Sequence, residues 1–361
     1  MAHGILIVLV IGFPLAAALL FRRIWRRPGR WRSLATRCAL LAGTVLLLFG
    51  VLEYYFVHHV AMSDGFGFTL AAKNWRERYG NIPHNSRGIR DHEHPVGPRK
   101  DKSVLYVVGD SFSAGHGIDH YPDRYANQLA EQLGDQWRMI LVAKGGWATS
   151  RQLEELDRYR DKAILDSSES EVIIWQYYVN DIEGAGHQAG LVRPDIHLTA
   201  PRLLRPVVDN YHLANFLYWG VFRSVRSRQL ARQYLDYLHR CFGDAQCWAI
   251  HRRELQQVID LVRDRDNAAS GQSLPSHKVI VVVYPNLVDI PGTRDMSDKV
   301  AAFFESQTIA VVNMADRLED RPVEEITVNA LDGHPNERVN KLLADELFRR
   351  YFKQVPGGEP G

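Results

Sequence analysis

Two long apolar runs open the chain, and short apolar stretches alternating with amphipathic ones fill the remainder. Gly4 to Phe21 carries no charged side chain and is just long enough to cross a bilayer as a helix. Cys38 to His59 is a second apolar run, with Glu53 near its far end beside Tyr54, Tyr55 and Phe56. Between the runs stand Arg22, Arg23, Arg26, Arg27, Arg30, Arg32 and Arg37. The positive-inside rule puts that basic loop, about residues 22–37, in the cytoplasm and the aromatic residues at the opposite interface. Residues 1–59 are therefore predicted to form two transmembrane helices. The expected location is the inner (cytoplasmic) membrane, two-pass, with the later residues in the periplasm or outside the cell. A cleaved signal peptide is the alternative, and it fits poorly because the basic cluster follows the first apolar run.

Residues 60–100 are polar, contain Gly and Pro, and are rich in histidine, which predicts a linker plus an ordered loop. From residue 101 onward strands and helices alternate. Apolar stretches at 103–110, 138–146, 171–181, 277–287 and 309–316 read as buried strands. Stretches at 125–134, 149–161, 297–307 and 336–354 have apolar residues at helical spacing, several with capping residues at their ends. This pattern predicts an α/β fold with a parallel sheet covered on both faces, over about 101–355. Residues 187–270 break the rhythm: they are helix-like, with many aromatics and arginines, and are predicted to be an inserted helical cap whose aromatic stripe is its own core.

Composition refines this only a little. Of 361 residues, 46% are hydrophobic and 24% charged, as in ordinary globular proteins, and the net charge of +2 is unevenly spread. No nucleic-acid partner is expected. Cys38 lies in the second apolar run, while Cys241 and Cys247 enclose five residues of the exported part. A local disulfide between them is the favoured reading for an oxidising compartment, with two unpaired thiols as the alternative.

Ligands of open parallel sheets bind outside the carboxyl ends of the strands. Three such ends carry unusual residues: Gly109-Asp110-Ser111, Gly145-Gly146 and Asn180-Asp181, and Asp332 and His334 precede the last helix. Each alone has a plain structural explanation, a helix cap for Ser111, a permitted turn for the glycines, an Asx-turn for Asn180. Together they supply what acyl transfer needs. Ser111 is the nucleophile, His334 the base that activates it, and Asp332 the acid that orients the imidazole. The backbone N–H groups of Ser111 and Gly146 and the Asn180 amide would form the oxyanion hole.

At this point the sequence resembles the SGNH (GDSL-type) hydrolases. "GDSFSAG" is similar to the first family block, "AKGGWATS" to the second, "YYVND" to the third and "DGHPN" to the last, in the family order. The resemblance implies a flavodoxin-like three-layer α/β/α fold, Ser111, Asp332 and His334 as catalytic residues, and Ser111, Gly146 in preference to Gly145, and Asn180 as oxyanion donors. Two departures stand out. Val179 replaces the usual glycine of the third block, and one residue instead of two separates Asp332 from His334. "NIPHNSRGIRD" also resembles a segment of exported, polysaccharide-associated relatives.

A metal site around His92, Glu93 and His94, with His58, His59, His116 and His120 nearby in sequence, finds no third ligand at a usable spacing, so neither metal nor cofactor is expected. The resemblance and the topology together imply a membrane-anchored exported serine esterase acting on acyl esters, chiefly O-acetyl, of cell-envelope or extracellular polysaccharide. The alternatives are an O-acyltransferase served by a membrane acyl-transfer partner, a lipase or thioesterase, and a non-catalytic glycan-binding protein.

Overall fold

The computed structural model describes residues 30–93, 103–159, 171–195, 199–268 and 278–353. The first expected membrane helix, Gly4 to Phe21, and most of the basic loop lie outside these residues. The second is present as helix α1 (Arg30–His59), which begins within the predicted loop, so Arg30, Arg32 and Arg37 are helical. Among the described residues α1 is the one helix long and apolar enough to cross a membrane, with a mean hydropathy of 2.0 over its best window in Leu34–His59.

By internal packing the chain forms two units. Among the described residues, the first holds 30–62, 67–74 and 199–226, and the second holds the rest. The second unit contains a five-stranded parallel sheet in the order β2-β1-β3-β4-β5. Its strands are β1 (Ser103–Gly109), β2 (Trp137–Ala143), β3 (Glu171–Tyr178), β4 (Lys278–Tyr284) and β5 (Ala310–Asn313). This is the doubly wound, flavodoxin-like order, in which the chain reverses direction across the sheet after β2.

Valines, isoleucines and aromatics dominate the strands, and β1 and β3 are buried along almost their full length. Such residues suit a sheet covered on both faces, which leaves no polar side for alternation. Helix α2 (Tyr125–Leu133) links β1 to β2, and α3 (Thr149–Tyr159) packs behind β1 and β2. Right-handed crossovers moving in opposite directions place these two helices on opposite faces. The last helix, α7 (Glu337–Leu347), packs on α2. Helices α5 (Ala245–Ala268) and α6 (Ile290–Ser306), which bracket β4, pack on the central strands and on β4–β5, α5 also meeting α3. Three layers result, as the sequence pattern predicts.

The stretch expected as one inserted cap over 187–270 divides instead. Residues 199–226, including the first half of α4 (His212–Gly243), belong to the first unit, whereas α5 is a covering helix of the sheet. Leu255, Val258 and Ile259 of α5 are fully buried there, each worth about 1.5–3 kcal/mol of transfer free energy. The expected linker also divides: residues 63–66 and 75–93 are part of the sheet unit, and 67–74 of the other.

The possible Cys241–Cys247 disulfide is not formed; both are free thiols. Cys241 lies in the last turn of α4 and Cys247 in the first turn of α5, both wholly buried, where the thiols interact with each other and with Tyr237. Burial raises both thiol pKa values, Cys247 to about 12, so they behave as small apolar residues of the core.

Candidate active site

The register of the sheet sets the site. Gly109 pairs with Ala143 and Val108 with Trp175, so β1 and β2 end level, β3 runs slightly further to Tyr178, and their following loops share one rim. Strand β2 stops at Ala143, earlier than expected, because Lys144 to Trp147 forms a turn closed by Trp147 N–H donating to Lys144 C=O (3.2 Å). Gly146 is its third residue, with φ +81°, a value that a type II turn demands and that glycine supplies without strain.

Ser111 opens a single helical turn, Ser111–Ala114, directly after β1. It is not the cap of that turn. Asp110 is, its carboxylate accepting from Phe112 N–H at 2.9 Å, which leaves the Ser111 hydroxyl available. Gln176 of β3 clamps the turn from beneath: its Oε1 accepts from Asp110 N–H (3.1 Å), Ser113 N–H (3.2 Å) and the Ser113 hydroxyl (3.0 Å). Gly109 is required here because a Cβ would press into Gln176 Oε1 and lie 2.5 Å from Ser113 Oγ.

The segment before the last helix is an antiparallel hairpin, β6 (Thr327–Asn329) with β7 (Asp332–Pro335). That resolves the unusual spacing. Residues two apart on a strand point to the same face, so one intervening residue is enough to bring Asp332 and His334 together. His334 Nδ1–H donates to Asp332 Oδ1 at 2.5 Å, and the His334 backbone N–H donates to the same oxygen at 3.1 Å. With Nδ1 protonated, Nε2 is the acceptor, and it lies 2.8 Å from Ser111 Oγ. The structure thus brings Ser111, His334 and Asp332 into one hydrogen-bonded chain.

Two further residues meet this chain, and the sequence reading misses both roles. Ser63, in the expected linker, donates its hydroxyl to Asp332 Oδ2 at 2.5 Å. It is held there by Asn329 Nδ2–H on the Ser63 carbonyl (3.1 Å) and by Gly65 N–H on the Leu331 carbonyl (3.0 Å). His116 sets its ring, tilted, with its centroid 4.5 Å from that of His334, and the Trp75 ring lies 5.1 Å from it. His116 Nε2–H donates to the Asp64 carbonyl at 3.1 Å and lies 3.5 Å from Asp332 Oδ2.

Buried charges explain how these groups titrate. Asp332 has no exposed side-chain surface. Burial opposes its ionisation, but His334, His116 and the Ser63 hydroxyl outweigh it and hold the carboxyl well below the usual range. Burial also opposes charge on His334, and Asp332 overrides it by charge and hydrogen bond, so this imidazole titrates above its ordinary value. His116 goes the other way: burial and the neighbouring His334 charge depress it to about 4, against the pull of Asp332. At neutral pH His116 is an uncharged wall of the site. Ser63→Ala is expected to lower kcat roughly 10-fold with KM little changed, since a lost hydrogen bond to a charged group is worth about 1.5–3 kcal/mol and only part reaches the transition state. Steady-state kinetics on an aryl acetate checks this.

The loop that carries His116 is fixed by two buried arginines, Arg90 of the "NSRGIRD" segment and Arg124 immediately before α2. Arg90 donates to the carbonyls of Gly115 (2.8 Å), Ile118 (2.8 Å) and Asp119 (3.0 Å). Arg124 is completely buried and donates to Arg90 C=O (2.6 Å), Tyr121 C=O (3.1 Å) and Asn127 Oδ1 (2.9 Å), with Asp91 3.7 Å away.

Asn180 lies half-buried on the short turn Val179–Ile182 after β3. Val179 is fully buried and fills a core position. Next to Asn180, the Asp181 carboxylate accepts from Gln152 Nε2 (3.3 Å), which also donates to the Trp147 carbonyl (2.9 Å). Gln152 therefore ties the Asn180 turn to the glycine turn. Burial, with the Asp110 charge adding, raises the Asp181 pKa well above normal. Gly145 is the glycine nearer the nucleophile, since a Cβ there would sit 3.7 Å from Ser111 Cβ, whereas one on Gly146 would meet open space.

Among the described residues, His116, Asp332 and His334 are the one group of metal-type side chains close enough to share an ion. Their hydrogen bonds account for that proximity, with both Asp332 oxygens already accepting from His334 and Ser63. Of the histidine-rich stretch, His92 contacts the Tyr121 hydroxyl and Glu93 accepts from Ser86, while His94 lies outside the described residues.

No family model and no curated protein matches the sequence. Among solved structures, the chain is similar to a member of the lipolytic protein G-D-S-L family from Veillonella parvula, at 14% identity and a TM-score of 0.40, over 70% of this chain and 100% of that one. It is also similar to a carbohydrate acetylesterase family member from Sinorhizobium meliloti, at 13% identity and a TM-score of 0.36, over 68% and 95% of the two chains. The aryl esterase of M. smegmatis is a third, at 14% identity and a TM-score of 0.37, over 70% and 100%. The sheet order and the Ser111–His334–Asp332 geometry are features of the chain itself and take nothing from these similarities.

Proposed function

We propose that this protein is a membrane-anchored serine ester hydrolase of the SGNH type, acting outside the cytoplasm on acyl esters, chiefly O-acetyl groups, of polysaccharide. The observation that carries the reaction is Ser111 Oγ 2.8 Å from His334 Nε2, with Asp332 on the opposite ring nitrogen. Ser111 attacks the ester carbonyl while Nε2 takes its proton, and Asp332 stabilises the imidazolium. The tetrahedral oxyanion is met by the backbone N–H groups of Ser111 and Gly146 and by the Asn180 amide. Collapse expels the alcohol, which leaves with the proton from His334. Water, deprotonated by the same nitrogen, then releases the acid and restores Ser111. Serine, histidine, aspartate and backbone amides complete the chemistry without a cofactor.

Anchoring by α1 is supported by its length and apolar composition, and the positive-inside rule orients it with the arginines in the cytoplasm. The polysaccharide assignment is supported by that topology and by the resemblance of the "NSRGIRD" segment.

The test uses the full chain in mild detergent on aryl acetate, short-chain lipid esters and acetylated glycans, each with and without an acceptor sugar. Release of free acetate from glycan without acceptor is the expected outcome. Turnover appearing only when acceptor sugar is added would replace the hydrolase with an O-acyltransferase.

A further inference from the structure

The first unit leaves several large apolar side chains exposed. Leu203 is 93% exposed and Leu217 56%, and Leu204 and Val207 are about half exposed. These residues belong to a built element. Ala200, Val208 and Trp219 form a small core with Phe68, Tyr218 and Phe222 against it. Asn215 locks it by donating to the Val208 carbonyl (3.0 Å) and accepting from Leu70 N–H (2.9 Å). Leaving these large aliphatic side chains in water beside such a core forgoes the main driving force of folding.

The same element is docked on the far end of α1. Glu53 of α1 accepts from the N–H groups of His212 (2.6 Å) and Leu213 (2.8 Å), satisfying the first free donors of α4. Phe49 meets Tyr211 with ring centroids 5.6 Å apart, and Phe56 meets Phe216 at 5.2 Å. This explains a carboxylate inside an apolar run, since Glu53 is turned into protein rather than lipid. At about 1.5 Å rise per residue, Glu53 lies roughly 9 Å short of the end of α1. That is the depth of a headgroup and upper acyl region, and the exposed Tyr54 and Tyr55 stand at the same level as an interfacial aromatic belt. Arg202 and Arg205, both exposed, flank Leu203 and Leu204 in the manner of a basic rim facing phospholipid headgroups.

We propose that residues 199–222 form a bilayer-interface element, with Leu203, Leu204, Val207 and Leu217 immersed in phospholipid beside α1. The proposal rests on the reading of α1 as a membrane span. It makes the first unit a seat in the membrane surface instead of a single-helix tether.

The experiment is nitroxide labelling of the full chain, in a Cys38→Ala background, reconstituted in vesicles of phosphatidylethanolamine and phosphatidylglycerol. Single labels go at Leu203→Cys and Leu217→Cys, with Leu47→Cys as the span control and Asp295→Cys, on the exposed face of α6, as the aqueous control. Accessibility to molecular oxygen and to a water-soluble nickel chelate gives the depth of each label. The expected result is Leu203 and Leu217 labels favouring oxygen over nickel, at a depth between the two controls. Nickel accessibility equal to the Asp295 label, with Leu47 still in lipid, would overturn the interface element and leave the span intact. A nickel-accessible Leu47 label would overturn the span reading and the proposal with it. Shielding of Leu203 and Leu217 from both reagents would also overturn it, in favour of a protein cover.

Discussion

Ser111→Ala is expected to lower kcat on an aryl acetate by about 10⁴-fold or more, at least ~5.5 kcal/mol of transition-state stabilisation, with the fold unchanged. The Ser111 side chain is not part of the structure's support. The cap of its helical turn is Asp110, the clamp beneath is Gln176, and the Ser111 backbone donors and acceptors are untouched by removing one hydroxyl. What is lost is the atom 2.8 Å from His334 Nε2. A residual rate from the oxyanion donors is expected, because positioned amides still polarise a bound ester. Thermal unfolding of the variant at the wild-type midpoint, together with the collapse of kcat, separates a chemical defect from a folding one. A kcat within 10-fold of wild type would remove Ser111 from the reaction, since nucleophile losses are far larger.

Asp332→Asn is expected to have the second largest effect, a loss of about 10²–10⁴-fold in kcat. Asp332 accepts from both the His334 ring and the His334 backbone, so an amide in its place presents the wrong charge and, in one orientation, the wrong polarity. The pH profile gives an independent sign. In the wild type the activity limb follows loss of the His334 proton, and Asp332 raises that pKa above the ordinary value of about 6.5. Removing the carboxylate leaves burial as the dominant influence, which disfavours the charged ring. The rising limb of kcat/KM should therefore move to lower pH in the variant while the plateau falls. His116, held to about 4, contributes no limb near neutrality, so the shift belongs to His334. A limb that stays in place would mean that the titrating base is another group.

The sheet and the residues of the site were readable to different extents, for physical reasons. The strands could be found because a sheet covered on both faces leaves unbroken apolar runs such as "VLYVVG" and "EVIIWQYY". Their ends were less visible: the turn at Lys144 to Trp147 is made by backbone geometry at Gly146, which apolar patterning does not register. Ser111, Asn180, Asp332 and His334 stood out because each is a reactive or polar residue at a loop where the rest is apolar or small. Ser63 gave no such signal. It acts from 269 positions away in sequence, on a segment that reads as a polar linker. His116 was visible only as one of many histidines, and its place beside His334 depends on the Arg90 and Arg124 hydrogen bonds to the intervening loop. Gln176 was the better clue, a polar residue inside an otherwise apolar strand. The fate of residues 187–270 was the hardest to read. Helical periodicity is the same for a cap, a sheet-covering helix such as α5, and an element that packs on α1.

The reaction turns on a covalent acyl-serine at Ser111, which intact and peptide mass spectrometry detects. The full chain is mixed with an activated acetyl ester and quenched in acid within the first turnovers. The expected result is a mass gain of one acetyl group, confined to the peptide containing Ser111 and lost on further incubation at neutral pH. The adduct should also accumulate in an Asp332→Asn variant assayed where deacylation is slow. Turnover of the ester with no acetyl on that peptide at any quench time, or with the acetyl on another residue, would contradict it.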